Sequence, residues 1–411
     1  MSLPPPVTSL CTHRPWTGLG ARPALALLLL LAACGSEHDR RLCAPPANFP
    51  DGVEYGPLVS RPSPTSIEVA WRTEASTDAS VEYGLTPAYG SVTTAPAARF
   101  HRVRLYGLSP DTAYHYRIAA GGAPLGGDHV LRTPPQPGTG RARFGVIGDS
   151  GTGCADELAM VAQLEKMEPD FVLHTGDVAY YHGTAEQVRN ALLIPFATLA
   201  ARAPVFVTLG NHDVDTDGGR PVLDALDLPA NSATGSSRFY AFDWGPVHGI
   251  CLESNAPTIA DPAQKAWLEA DLAATKAPWK VVFFHHAAYS SSRHKSTPYV
   301  DRFWVPIFDA HHVDLVCNGH DHDYERSHPL VAGARADAQA GPDYVSPKGT
   351  VYVVTGGGGQ ALYERGTSPF TVVSASVLNV VRFDVTTTTL RGTAILGDGS
   401  TYDTFTIRKG P

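Results

Sequence analysis

Five times between residues 143 and 322 a short apolar run stops at a polar cluster: Gly148-Asp149, Gly176-Asp177-Val178-Ala179-Tyr180, Gly210-Asn211-His212-Asp213, His285-His286 and Gly319-His320-Asp321-His322. Runs such as FGVI, VVFF and VDLVC have the length and the β-branched or aromatic content of buried strands. Helices are expected between them near residues 155–167, 184–201 and 261–275, the last opened by Asp261 as N-cap with Pro262 at the first helical position. Strands alternating with helices make an α/β core. In such a sheet, ligands gather at the carboxyl ends of the strands. Clusters behind five strands therefore converge on one small volume. The glycine ahead of four of them lets the backbone bend sharply and approach closely. Residues 377–407 return to three alternating strands.

Carboxylate, carboxamide and imidazole in one place suit Zn, Fe and Mn. Two neighbouring cations need a shared anion between them, a part that a strand-end Asp can take. His320 and His322, two residues apart, can face different ions. A single Gly-Asp or Gly-Asn-His is common in any chain, whereas five such clusters in order, each behind a strand, are not.

Ahead of this core, residues 66–72, 79–84, 102–108 and 113–120 alternate apolar with polar positions, with turn residues between them. Short alternating strands at this spacing predict a β-sandwich, with Tyr114 and Tyr116 as core and corner residues. The Pro/Gly-rich stretch 133–142 marks a hinge between domains. The composition, 43% hydrophobic with a formal charge of −8 and no basic run, fits a globular protein and disfavours nucleic acid as a partner.

At the N-terminus, Arg14 and Arg22 precede an apolar run over 24–33, too short to span a bilayer and of the length of an export signal. It ends in Leu31-Ala32-Ala33-Cys34-Gly35, which resembles the bacterial lipobox: Cys34 is then lipidated and becomes the first mature residue. The competing reading is an ordinary signal peptide with Cys34 incidental. Gly35 after the cysteine favours an outer-membrane destination. An exported chain can keep disulfides, but Cys43, Cys154, Cys251 and Cys317 allow three pairings, with buried free thiols an equal alternative for Cys251 and Cys317.

The order GD, GDxxY, GNH, VxxH, GHxH is similar to that of the calcineurin-like metallophosphoesterases, and Tyr180 together with GHDHDYER narrows the resemblance to the purple acid phosphatases. The Trp71 strand and LSPDTAYHYRI resemble a fibronectin type III domain. The organisation so implied is a lipoprotein signal peptide (1–34), a linker (35–55), a fibronectin III-like domain (56–135) and a four-layer αββα catalytic domain (141–411). The resemblance implies two metal ions. Asp149, Asp177, Tyr180 and His322 hold one, which is Fe(III) beside the tyrosine. Asp177, Asn211, His285 and His320 hold the other, Zn, Mn or Fe(II). His285 is preferred over His286 because it fits VxxH. His212 and His294 match histidines near the phosphate, with Lys295 where a further histidine is common. Asp213 is read as the holder of a ligand histidine.

The implied activity is acid phosphatase: hydrolysis of phosphate monoesters outside the cytoplasm, with a metal-activated hydroxide attacking phosphorus in line and His212 or His294 serving the phosphate or leaving group. A phosphodiesterase with the same metals is the nearest alternative, to be decided by loops 215–237 and 331–347. A surface-binding lipoprotein with an inactive enzyme domain is the other. Gly356, Gly357, Gly358 and Gly359 read as a tight loop beside the site rather than a phosphate cradle, since no helix signal follows. Arg326 either supports the site through Tyr324 and Glu325 or lies on the surface.

Overall fold

In the computed structural model, which describes residues 42–232, 234–339 and 341–410, the strand Trp279–His286 turns Val281 and Phe283 toward one apolar core and Val282 and Phe284 toward another. A strand buried on both faces reads as a continuous apolar run, and this is the reason for VVFF. The strand belongs to a seven-stranded sheet. Its order is Tyr240–Trp244, Val247–Cys251, Trp279–His286, Leu315–Gly319, Val351–Thr355, Tyr324–Ser327 and Thr371–Ala375. Four of these, from Val247–Cys251 to Val351–Thr355, run parallel.

A second seven-stranded sheet faces it. Its order is Asp343–Val345, Thr401–Arg408, Thr389–Leu396, Asn379–Thr386, Arg141–Ile147, Phe171–His174 and Val205–Val207. The aromatic rings between the sheets fix which face is inward. Phe171 stacks on Phe144 at 5.0 Å and meets Phe242 of the other sheet edge-on at 5.2 Å, and Phe206 stacks on Phe242 at 3.7 Å. Gly145 therefore points outward, where a Cβ would lie 2.5 Å from Leu164 of the helix Ala155–Lys166. On the far side, the helices Pro262–Ala274, Pro298–Phe303 and Val305–His311 bury Leu268, Leu272, Val300 and Phe308 against Val282 and Phe284. The layering is helix, sheet, sheet, helix.

Two helices follow their sequence signals. Ala155–Lys166 runs as expected, and Asp261 accepts from the Ala263 amide at 2.9 Å to cap Pro262–Ala274. The single helix expected over 184–201 does not form. It breaks into Ala185–Val188, a wider turn over Arg189–Leu193 closed by the Ile194 amide on the Arg189 carbonyl (3.0 Å), and Ala197–Ala200. Pro195 is the cause, because it has no N–H to carry the ladder forward.

The N-terminal sheet is built on one long strand. Segments 66–72 and 79–84, expected as separate strands, are the two halves of Ser66–Gly84, with register irregularities between Arg72 and Ala79. The first half pairs with Val53–Ser63, the second with Ala113–Ala120, and Ser91–Tyr106 runs along both. Trp71, Val81, Leu105 and Tyr116 lie in its core. The Tyr114 hydroxyl accepts from the Ser109 amide at 2.9 Å, making the expected corner. Tyr116 reaches out of the domain and donates to the Ala201 carbonyl at 2.5 Å. Asp227, its side chain fully buried, accepts from Ser60 (2.8 Å) and pairs with Arg61 (3.0 Å) and Arg102 (2.8 Å). The hinge is thus cross-braced.

The expected linker is tied down from residue 42 onward. Cys43 is disulfide-bonded to Cys154, across a separation of 111 residues, and its amide donates to the Thr152 carbonyl at 2.9 Å. Cys251 and Cys317 are buried free thiols. The export segment with Cys34 lies outside the described residues. Arg326 is neither surface nor site support. It is buried and joins its strand to Thr401–Arg408 through Asp403 (2.6 and 3.1 Å) and to Tyr344 (2.9 Å).

His248 is held between Asp243 and Asp271, both at 2.7 Å. Burial disfavours its charge, but the two carboxylates outweigh burial and raise its pKa from 6.5 to about 9. The stabilisation is therefore complete below pH 6.5 and is lost as pH rises through 9. With Asp243 44% exposed, solvent screening leaves about 1–2 kcal/mol. Urea unfolding of Asp271→Asn should show a loss of about this size at pH 6 that shrinks toward zero by pH 10. A loss independent of pH would contradict this reading.

Candidate metal centre

The facing of the two sheets brings all five polar clusters to one end of the sandwich. Asp149 follows Arg141–Ile147, Asp177 and Tyr180 follow Phe171–His174, and Asn211 and His212 follow Val205–Val207. From the other sheet, His285 lies at the end of Trp279–His286, and His320 and His322 follow Leu315–Gly319. Three of these residues, Asp149 (φ 56°), Asp177 (φ 54°) and His320 (φ 71°), adopt left-handed backbone. For a non-glycine residue that costs about 1–2 kcal/mol and persists only where the surroundings enforce it.

The enforcement is visible in the hydrogen bonds. The His320 amide donates to both Asp149 oxygens (2.9 and 3.1 Å), and the His212 amide to Asp177 Oδ1 (3.0 Å). Asp213 does not hold a histidine as expected. Its carboxylate accepts from the backbone amides of Gly210 (2.8 Å), Asp177 (2.8 Å), Val178 (3.0 Å) and Ala179 (3.2 Å), and these donors occupy both oxygens. Close approach requires glycine at two points. A Cβ on Gly210 would lie 2.0 Å from Asp177 Oδ1, and one on Gly356 2.2 Å from the Asp321 carbonyl. The glycine loop is packed against the Asp149 turn, its Gly358 amide donating to the Gly148 carbonyl at 3.0 Å.

The donor atoms fall into two groups that share one carboxylate. Tyr180 Oη lies 3.1 Å from Asp177 Oδ2, 3.3 Å from Asp149 Oδ1 and 3.2 Å from His322 Nε2. His285 Nε2 lies 3.0 Å from Asn211 Oδ1, 3.2 Å from His320 Nδ1 and 3.5 Å from Asp177 Oδ2. His285 Nδ1 donates to the Thr175 carbonyl (2.9 Å) and His322 Nδ1 to that of Ala361 (2.8 Å). This fixes the tautomers and turns both Nε2 lone pairs inward. His286 turns away, its Nδ1 on Ser254 Oγ at 2.8 Å.

Electrostatics in the cluster act against every bare charge. Burial, then Asp177, pushes the Asp149 carboxyl well above its usual pKa, and burial raises Asp177. Burial, then the neighbouring histidines, holds His285 far down and His320 down to about 2, and His322 falls to about 3, mainly through burial. Burial, with both carboxylates, pushes the Tyr180 phenol far up. The result is a buried set of carboxylates and neutral imidazoles whose lone pairs point at one another. Cations placed among them supply the missing countercharge and acceptors for those lone pairs. Asp149, Asp177 and His285 offer ligand atoms within 4.8 Å of one another. The donor set therefore fits metal.

Around the cluster, the His212 ring stands 4.7 Å from that of Tyr180, and the His294 ring packs at a tilt on that of His320 (4.1 Å). Sequence reading missed Tyr363. Its ring stacks on His322 at 4.0 Å, and the Arg293 guanidinium covers it at 4.8 Å. No periodicity marks Tyr363, because it sits in an irregular segment, held by its amide on the His322 carbonyl (2.9 Å).

Replacing Asp213 by Ala leaves four buried amides unpaired and frees the loop carrying Asp177. Outer supports of this kind are worth about 10- to 100-fold in metal affinity. Metal content after dialysis against graded chelator should fall accordingly in Asp213→Ala, and unchanged retention would refute the assignment.

Comparison with known proteins agrees with this geometry. Residues 57–133 match the N-terminal domain of purple acid phosphatases, and residues 142–324 match the calcineurin-like phosphoesterases. The chain is 28% identical to an uncharacterized Mycobacterium tuberculosis protein, over 68% of this chain and 62% of that one. The match thus spans less than two thirds of that relative. It is also 28% identical to purple acid phosphatase 21 of Arabidopsis thaliana, over 79% and 78% of the two chains. Among solved structures, the purple acid phosphatase PPD1 of yellow lupin superposes with a TM-score of 0.78 at 22% identity, covering 86% of this chain and 74% of that one. At that identity the likeness shows a shared fold. The chain thus carries a calcineurin-like phosphoesterase domain over residues 142–324, with the N-terminal domain of the purple acid phosphatases ahead of it over residues 57–133.

Proposed function

We propose that the protein hydrolyses phosphate monoesters at a two-metal centre, outside the cytoplasm and at acid pH. The observation that carries this reading is the pair of donor groups meeting at Asp177 Oδ2, one containing Tyr180. Asp149, Asp177, Tyr180 and His322 would hold one ion, and Asp177, Asn211, His285 and His320 the other. Such ions supply Lewis acidity toward phosphoryl oxygens and lower the pKa of nearby water. The names of two relatives support the reading: purple acid phosphatase 21, and a phosphoenolpyruvate phosphatase of Allium cepa that is 29% identical over 64% of this chain and 59% of that one.

The chain's own groups complete the site. His212 Nδ1 is committed to the Tyr181 carbonyl at 2.9 Å, so Nε2 is the atom that meets a phosphate oxygen or passes a proton to the leaving alcohol. The His294 amide is pinned to Asp321 Oδ1 at 2.8 Å. Burial favours the neutral His294 ring, which suits hydrogen bonding to substrate. Tyr180 would bind as the phenolate, its proton released to solvent, and because burial opposes that ionisation a hard trivalent cation is the ion suited to the site; Fe(III) is proposed beside it, with Zn, Mn or Fe(II) opposite. The Cys43–Cys154 disulfide accords with an oxidising compartment, and export with lipidation at Cys34 completes the proposal.

The test is a visible spectrum with metal analysis and phenyl phosphate turnover on the chain from residue 35 onward. About two metals per chain, acid-optimal turnover and a visible band lost in Tyr180→Phe are expected. A colourless two-metal protein would remove the iron. A chain that takes up no metal under any loading would remove the hydrolase reading.

A further inference from the structure

Beside the metal cluster lies a cleft of about 440 Å³ lined by Arg293, Lys295 and Arg365 with a single carboxylate residue, Glu364. Three cations against one anion stand out in a chain whose formal charge is −8. Tyr363 is the wall common to cleft and metal cluster, since it lines the cleft and stacks on His322. Arg293 and Lys295 flank His294, whose ring reaches back to His320. Tyr363 thus connects the cluster to the cations, and an ester seated with its phosphate at the cluster has room to extend its alcohol side along that ring.

The cleft is part of the fold. The segments that form it lock together, with Ser292 Oγ donating to the Glu364 carbonyl at 3.0 Å and Gly366 so close to Ser291 that a Cβ would lie 1.9 Å from its carbonyl oxygen. Lys295 has left-handed backbone (φ 65°), and its Nζ donates to the Ser291 carbonyl at 2.8 Å, which leaves two further N–H donors on the ammonium. The Arg293 guanidinium lies 4.8 Å from the centre of the Tyr363 ring.

We infer that the preferred substrates are phosphate esters whose alcohol carries a second anionic group, a carboxylate or another phosphate, received by Arg293, Lys295 and Arg365. This rests on the monoesterase reading above and names its substrate class. Guanidinium and ammonium groups are the donors suited to both anions.

The experiment uses the metal-loaded chain and two matched pairs: phenyl phosphate against 4-carboxyphenyl phosphate, and fructose 6-phosphate against fructose 1,6-bisphosphate. The first pair reads carboxylate, the second phosphate. KM should be lower for the anion-bearing member of at least one pair, and the advantage should shrink in high salt. Arg365→Gln should erode it by about 3- to 5-fold, and Arg365→Glu by more, with phenyl phosphate turnover unchanged. Equal KM values in both pairs, or variants that lose phenyl phosphate turnover in the same proportion, would overturn the inference alone. Hydrolysis of none of the four would overturn it together with the function on which it rests.

Discussion

The Asp213 carboxylate, buried and accepting four backbone amides, is the constraint from which the rest of the centre follows. It joins the turn after Phe171–His174 to the turn after Val205–Val207. These turns carry Asp177 and Tyr180 on one side and Asn211 and His212 on the other. Hydrogen bonds to a buried charge are worth about 1.5–3 kcal/mol each, enough to offset the cost of left-handed backbone at Asp177. Asp149 is fixed in the same manner by the amide of His320, a residue it meets across the two sheets. Ligand carboxylates and backbone amides thus position one another before any ion is considered.

Much of this was legible in the residues. The apolar runs and the clusters behind them placed the strands and their functional ends, because a strand buried on both faces has a distinctive composition and a ligand at its end follows directly. Neither the long Ser66–Gly84 strand nor the broken 184–201 helix could be read the same way. In the first, tertiary pairing carries one strand through an irregularity that looks like a turn. In the second, Pro195 outweighed a helical pattern. Asp213 was placed correctly beside the site but given the wrong partner, since a short carboxylate after a histidine looks the same whether it serves a ring or a loop. Tyr363 left no trace because its position depends on tertiary contacts, to His322 and Arg293, made from an irregular segment.

Buried charge is handled differently elsewhere in the molecule. Arg326 has Asp403, and Asp227 has Arg61 and Arg102, so compensation is internal to the chain. At the strand ends, acidic and imidazole groups are gathered against one another. The shifted pKa values there express an electrostatic penalty, and cations bound there would relieve it and so couple metal affinity to folding stability through linkage.

The Cys43–Cys154 bond also has a mechanical meaning. It joins the chain ahead of the N-terminal sheet to the residue just before the helix Ala155–Lys166, so the whole N-terminal sheet lies inside a covalent ring. A pull on the chain from any point before residue 43 would bypass that sheet and arrive at Cys154, a few residues from Asp149. Tension would be transmitted to the rim of the metal centre, while the N-terminal domain, enclosed in the ring, would bear none of it.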